Sequence, residues 1–389
     1  MFQLVLYYIA FALGTFSGSC FLYTIVIYSQ SLVEREGFSG IVFLFLYIPF
    51  PILFMFTGLL LDRFSRKLVL ASFQGIVFLA SFLIFFLSHE LLQEPYLLLG
   101  LAFFHGIGMT VVLPGRMALL RDVSGTHKIV FHTIFANLLL IVLFGLSPLM
   151  IGALKEILSF EMIFLAIAIG HFLSLSIILF LPVERQAKLE NQSQKLSAVL
   201  SYVKSDPILW QVLVVTIISM MYLGPLQVVL PKYIREVLGL GELGRGTVLF
   251  AMGPGLLLGG LLTIFFHHWR HQGRFLLFLL FVSGLAFLTI ISFHQASVTS
   301  GALFFFGIFG GMSSSLLPSI LQKKSAEDMR GRLLSIYMVC FQFTPALSGF
   351  LSAYFADLWG LVLGMQILGL LALFFSLVSL VSFRELRKF

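Results

Sequence analysis

The chain has 389 residues, of which 59% are hydrophobic and only 11% charged, against roughly 25% charged in an ordinary soluble domain. One water-soluble core of this size cannot hide that much apolar surface, so the composition excludes a soluble enzyme or nucleic-acid-binding domain and leaves an integral membrane protein. The formal charge of +7, from 24 Lys and Arg against 17 Asp and Glu, then bears on topology rather than on acidic partners, and no nucleic-acid partner is expected.

A membrane-crossing helix needs about 20 mainly apolar residues. Apolar runs separated by polar clusters predict a first set of helices at 3–28, 39–61, 68–88, 96–118, 129–153 and 161–182. Met1 to Leu6 carries no basic stretch and no small-residue cleavage site, so the first run is expected to be retained rather than removed as a signal. A second set follows at 207–232, 245–266, 275–294, 299–321, 333–356 and 361–382. Between the sets, Val183 to Asp206 is the longest and most polar connection. The expected organisation is therefore a six-helix bundle over 1–182, a cytoplasmic linker over 183–206, and a second six-helix bundle over 207–389. Within the linker, Leu196, Val199, Leu200 and Val203 recur at helical spacing beside Lys195 and Lys204, which predicts a short amphipathic helix at the membrane surface. Asp206-Pro207 predicts an N-cap followed by proline at the first helical position.

Charge placement orients this array. Nineteen of the 24 Lys and Arg fall in the even-numbered connections and the two tails; Arg35, Lys155, Lys232, Arg235 and Arg245 alone occupy the odd-numbered ones. Basic residues concentrate on the cytoplasmic side, so both termini are expected in the cytoplasm. The halves also resemble each other. The fourth run has Gly106-Ile107-Gly108-Met109 before Pro114 and the tenth has Gly310-Gly311-Met312 before Pro318, while Pro148 and Gly152 in the fifth match Pro345 and Gly349 in the eleventh. Such internal repeats are a mark of transporters. Cys20 and Cys340 both fall in apolar runs and predict no disulfide.

The connection after the second run reads Gly58-Leu59-Leu60-Leu61-Asp62-Arg63-Phe64-Ser65-Arg66-Lys67. It resembles the signature of the major facilitator superfamily, Gly-x-x-x-Asp-Arg-x-Gly-Arg-Lys/Arg, with Ser65 in place of the second glycine. The resemblance implies an all-α membrane protein of 12 transmembrane helices in two pseudo-symmetric six-helix bundles, working by alternating access, without enzymatic activity or cofactor. In that family the motif, here Gly58, Asp62, Arg63, Arg66 and Lys67, latches the cytoplasmic side. Pro114-Gly115-Arg116 in the first half and Arg330-Gly331-Arg332 in the other half resemble the branch containing macrolide-efflux proteins and the enterobactin exporter, with Arg330 and Arg332 as a second cytoplasmic gate. Gly145-Leu146-Ser147-Pro148-Leu149-Met150-Ile151-Gly152 partly resembles the antiporter motif of the fifth helix. The implied setting is a bacterial cytoplasmic membrane, with a monomer as the working unit.

Ionisable groups deep in a bilayer are costly and therefore functional candidates. The predicted helices leave no Asp or Glu near a midplane: Asp62, Glu161 and Asp357 lie at helix ends. Proton coupling then falls to a histidine or to Asp62. His105 lies about ten residues into the fourth segment, roughly 15 Å deep, and shares a helix face with Arg116. His132 is a second candidate, whereas His171 on the sixth helix falls outside the family's cavity-lining set. Asn137, Gln227 and Gln342 are the remaining polar candidates, each equally able to bridge helices. His267-His268-Trp269-Arg270-His271 lacks Cys or carboxylate partners and reads as an interfacial anchor, so no metal site is expected. No phosphate-binding Gly-x-x-x-x-Gly-Lys-Ser/Thr loop is present, so the chain itself does not hydrolyse ATP.

With 45 phenylalanines and few charges, a pocket suits an apolar or amphipathic molecule rather than a sugar or inorganic ion. The expected function is export of a drug- or siderophore-like amphipathic molecule by proton antiport, with membrane lipids as the other partner. The rival within transport is a lysophospholipid transporter without tight proton coupling. A non-transporting membrane sensor and an intramembrane enzyme are the rivals from other classes.

Overall fold

A computed structural model describes residues 2–124, 129–182, 196–266 and 271–389. The linker stretch 183–195, the anchor residues His267-His268-Trp269-Arg270 and the Asp62 side chain lie outside the described residues. Among the described residues every regular element is a helix. A helix satisfies its backbone polar groups within one segment, which a bilayer requires. Eleven helical stretches are long and apolar enough to cross a membrane, and the shorter apolar stretch Gly37–Leu53 falls in the second predicted segment. The chain is an all-α, multi-pass membrane protein.

The described residues fall into two compact units. The first comprises α1 (Phe2–Leu32), α2 (Glu36–Tyr47), α3 (Pro49–Arg63), α4 (Arg66–Phe86), α5 (Ser88–Gln93), α6 (Leu97–Ser124), α7 (Ile129–Lys155) and α8 (Phe160–Phe180), together with Glu242–Gly246. The second comprises α9 (Leu196–Ser205), α10 (Pro207–Met221), α11 (Leu223–Val228), α12 (Leu230–Glu236), the rest of α13 (Glu242–Phe250), α14 (Met252–Phe266), α15 (Gln272–Ser292), α16 (Ala296–Lys324), α17 (Glu327–Trp359), α18 (Leu361–Ser382) and α19 (Arg384–Lys388).

Proline explains why some predicted segments appear as several helices. It lacks an N–H and its ring crowds the carbonyl four residues back. The second segment breaks at Ile48, just before Pro49 and Pro51. The seventh breaks at Tyr222 and Val229, ahead of Pro225 and Pro231, and the eighth at Ala251, ahead of Pro254. Pro114 and Pro148 instead lie within unbroken helices, where hydroxyls lie within reach of the carbonyls they orphan. Thr57 Oγ1 stands 3.4 Å from both the Leu53 and the Thr110 carbonyls, and Ser147 Oγ donates to that of Phe144 at 2.9 Å. Helix α10 starts as its sequence predicts, with the Asp206 carboxylate accepting from the Ile208 N–H at 2.8 Å and Pro207 following the cap.

Each unit, taken separately, follows one packing scheme. In the first, α1 packs on α7 and α8, α4 lies against both α6 and α8, and α2 with α3 covers α6. In the second, α10 and α11 pack on α17, α15 lies against both α16 and α18, and α14 covers α16. The α14–α16 contact is the closest of these. A Cβ on Gly255 or Gly259 of α14 would run into the Phe304 or Ile308 carbonyl, and one on Gly307 or Gly311 of α16 into that of Met252 or Leu256. These glycines, spaced four apart on each helix, let the backbones touch where apolar burial gives no net drive in lipid.

Two helices run past their predicted limits. Because α6 continues to Ser124, Arg116 stands well inside it rather than near its predicted end, and is only 3% exposed. Because α17 begins at Glu327, Arg330 and Arg332 stand in its first turns. The α14 contact gives a sharp test. Gly259→Ala is expected to destabilise the protein by about 1–3 kcal/mol through overpacking. Gly260→Ala, whose Cβ meets no described atom within 4 Å, is expected to be neutral or slightly stabilising. Thermal unfolding of the two variants in one detergent reads the difference.

Candidate functional site

The most developed polar cluster lies inside the first unit. Tyr7, Phe11, Gly14, Gly18 and Phe21 recur at intervals of three and four residues along α1 and so share a face. Opposite them stand Gln74 of α4, His105 and Arg116 of α6, and His171 and Ser174 of α8, all buried.

Arg116 organises the cluster. Its Nη1 donates to Thr15 Oγ1 at 2.8 Å and its Nη2 to Gln74 Oε1 at 2.9 Å. The guanidinium carbon lies 5.9 Å from the centre of the Phe11 ring, and the Arg116 carbonyl accepts from the Tyr7 hydroxyl at 2.8 Å. Its bonded acceptors are thus neutral, and Nε has none. Gly14 makes the room: a Cβ there would overlap Arg116 Nη2 and come within 2.6 Å of Ser174 Oγ. Ser174 Oγ in turn donates to the Ala10 carbonyl at 2.7 Å, tying α8 to α1.

Gln74 passes the contact onward, its Nε2 standing 2.9 Å from His171 Nδ1. The His171 ring lies 6.0 Å from that of His105, edge to face, and His105 stacks on Phe21 at 3.5 Å with the rings parallel to within 1°. His105 Nδ1 and His171 Nε2 are buried without partners.

His105 and Arg116, expected on one face of their helix, therefore belong to one cluster. Sequence reasoning misses Gln74 and sets His171 aside because the sixth helix lies outside the family's cavity set. Depth points to His171 nonetheless, and a glutamine in an otherwise apolar run of α4 is the available signal for Gln74. The other polar candidates lie elsewhere. His132 is half-buried, with its Nδ1 2.8 Å from the Tyr8 hydroxyl, and Asn137 is exposed on α7. Gln227 and Gln342 are half-buried on α11 and α17 of the second unit. Gly349 packs on α11, where a Cβ would meet Val228 at 2.7 Å; a Cβ on Gly224 would run into the Pro345 carbonyl. Gly145 is buried, and Gly152 meets the Glu242–Gly246 stretch of its own unit, the Glu242 carbonyl lying 2.6 Å from a Cβ placed there.

The signature region forms another site. Arg66 Nη1 pairs with Asp122 of α6 at 2.6 Å, and Lys67 Nζ donates to the Leu181 carbonyl at 2.7 Å. A cation at the end of α8 complements the helix dipole. These two residues thus tie α4 to α6 and α8, and Asp122 is a partner that sequence reasoning misses. Arg63 is exposed over Phe64, 5.8 Å from its ring centre. A Cβ on Gly58 would meet no described atom within 4 Å, so this glycine makes no close approach to a described neighbour.

The model of the family described as Major Facilitator Superfamily matches residues 7–349 of this chain. The chain belongs to that superfamily. Among solved structures, the nucleoside transporter NupG is similar over 100% of this chain and of its own, at 14% identity and a TM-score of 0.75; a mutant of the same transporter gives 15%, 99% of each chain and 0.78. A bacterial homolog of the human lysosomal transporter Spinster, inward-facing and unoccupied, is similar at 10% identity, over 100% of this chain and 96% of its own, with a TM-score of 0.71. At such identities the likeness establishes the fold, and the superfamily establishes a transporter rather than an enzyme. No curated protein sequence matches.

The Arg66–Asp122 pair is largely buried, with side chains 16% and 5% exposed. Asp122→Ala is expected to cost about 1.5–3 kcal/mol by removing a largely buried charge-assisted hydrogen bond from Arg66. Arg63→Ala is expected to stay within about 0.5 kcal/mol. Thermal denaturation midpoints in detergent compare them.

Proposed function

We propose that this superfamily member exports an amphipathic small molecule, drug- or siderophore-like, across a bacterial cytoplasmic membrane by proton antiport, as a monomer with both termini in the cytoplasm. The observation that carries the reading is the ionisable content of the interior. Among the described residues no Asp or Glu is buried in the middle of a span, Asp122 being paired with Arg66 near the end of α6, whereas His105 is buried with Nδ1 unpartnered. A proton taken up from within the membrane span then has a histidine as its acceptor. The abundance of phenylalanine and scarcity of charge favour a substrate with a large apolar surface. In this reading Gly58, Asp62, Arg63, Arg66 and Lys67 form the cytoplasmic gate of the first half, and Arg330 and Arg332 that of the second.

The absence of mid-span carboxylates among the described residues equally favours a second reading, a lysophospholipid transporter without tight coupling. Purified protein in liposomes holding a pH-sensitive dye separates the two when amphipathic cations, siderophore chelates and lysophospholipids are offered in turn. Antiport predicts substrate-dependent proton flux opposite to the substrate, lost by at least about tenfold in His105→Gln while the fold persists. Lysophospholipid movement without proton flux, unchanged in His105→Gln, establishes the second reading instead.

A further inference from the structure

The hydrogen-bond order in the first unit has a direction. An arginine side chain is donor-only, so the Gln74 atom facing Arg116 Nη2 must be the amide oxygen, 2.9 Å away. The other end of that amide is an NH2 group, donor-only as well, and it stands 2.9 Å from His171 Nδ1 and 3.4 Å from the His171 carbonyl. His171 Nδ1 must accept, and a neutral imidazole that accepts at Nδ1 carries its proton at Nε2. A proton placed on Nδ1 would confront the Gln74 amide donor to donor. Relief would require the amide to turn over, setting its NH2 against Arg116 and breaking the bond that joins α6 to α4.

His171 Nε2 is a donor by this argument, and His105 Nδ1, buried and unpartnered, can accept a proton when the ring's own proton sits on Nε2. The ring centres are 6.0 Å apart, edge to face, and no hydrogen bond joins the two unpartnered nitrogens. His105 is held from its other face by Phe21, which offers no acceptor. Polar, titratable and charged groups lie on the elements packed around the pair. Gln74 comes from α4 and Arg116 from α6. From α1, Gly18 leaves room beside the His171 ring, a Cβ there lying 3.9 Å from Cε1. The hydroxyl of Tyr7, also on α1, is engaged by the Arg116 carbonyl, and Cys20 and Tyr23 are buried further along that helix. On α7, His132 meets Tyr8 and Lys155 lies 4.5 Å from the Phe160 ring centre.

We infer that Gln74, held in one orientation by Arg116, is a positioning residue that locks His171 as the neutral Nε2–H tautomer and leaves His105 as the member of the pair that takes up a proton. The proton adds to the His105 Nδ1 lone pair with no other bond broken. Proton occupancy is then linked through His171 and Gln74 to the Arg116 bonds that join α6 to α1 and α4. This inference deepens the proton-antiport reading and rests on it for its purpose, although the tautomer lock stands on hydrogen-bond geometry alone.

The test is a nitrogen-15 NMR spectrum of histidine-labelled protein in liposomes, with His105 and His171 assigned from His105→Gln and His171→Gln. The expected spectrum shows His171 neutral and protonated at Nε2 at neutral pH, and on acidification the new proton appears at His105 first. In Gln74→Leu the His171 signal is expected to shift toward a mixture of tautomers, an effect that loss of packing alone would not produce. A His171 that carries its proton at Nδ1 or is cationic at neutral pH in the wild-type protein, or that takes up the proton before His105, overturns the inference. The wild-type spectrum suffices if Gln74→Leu does not fold. Absence of substrate-driven proton flux in the liposome assay sinks the antiport reading while the spectrum still decides the lock.

Discussion

A guanidinium inside an apolar helix bundle must find acceptors before its neighbours can pack. Arg116 finds neutral ones, the Thr15 hydroxyl and the Gln74 amide, with the Phe11 ring nearby. An uncompensated charge in that position costs several kcal/mol, so the helices that supply these groups are fixed relative to one another by the arginine. Gly14 on α1 is small because the guanidinium passes beside it. Gln74 is oriented because only its oxygen can face a donor, and His171 inherits its tautomer from that orientation. Four helices, α1, α4, α6 and α8, thus share one chain of polar contacts.

Around this chain the two units use the same devices. Prolines either break a span or sit inside an unbroken helix, and in the first unit the carbonyls orphaned inside helices, those of Thr110 and Phe144, lie within reach of a threonine or serine hydroxyl. Glycines set helix separation where backbones touch, as between α14 and α16, where both helices contribute them. Near the signature, Arg66 and Lys67 join α4 to α6 and α8 through an ion pair and a carbonyl contact. A superfamily transporter must change conformation without losing the integrity of each bundle. Specific polar and glycine contacts within a unit provide that integrity in lipid, where burial of apolar surface does not.

Much of this architecture is legible in the residues. The twelve apolar runs each correspond to helix, because hydropathy over about 20 residues is the strongest signal a membrane imposes, and the Asp206 cap with Pro207 is equally local. The breaks at Ile48, Tyr222, Val229 and Ala251 are harder to read, since Pro114, Pro148, Pro318 and Pro345 lie inside unbroken helices and have the same identity as Pro49 or Pro225. Arg116 falls within the predicted fourth run near its end, where basic residues commonly mark the membrane surface, so its burial is not legible. In the site, His105 and Arg116 can be paired by spacing along one helix. Gln74 and His171 come from other helices, and no periodicity within one segment reports which faces will meet. Asp122 is hidden for the same reason, its partner lying 56 positions earlier in the chain.

The measurement that bears most directly on this account is the unfolding free energy of Arg116→Met, Gln74→Met and the double variant in one detergent. A buried guanidinium satisfied through Gln74 predicts strong non-additivity: Gln74→Met alone strands the charge, and removing both groups recovers at least about 1 kcal/mol relative to the sum. Additive effects within about 0.3–0.5 kcal/mol would mean that the two side chains do not depend on each other, and the polar chain through α1, α4, α6 and α8 would not be what holds the first unit together.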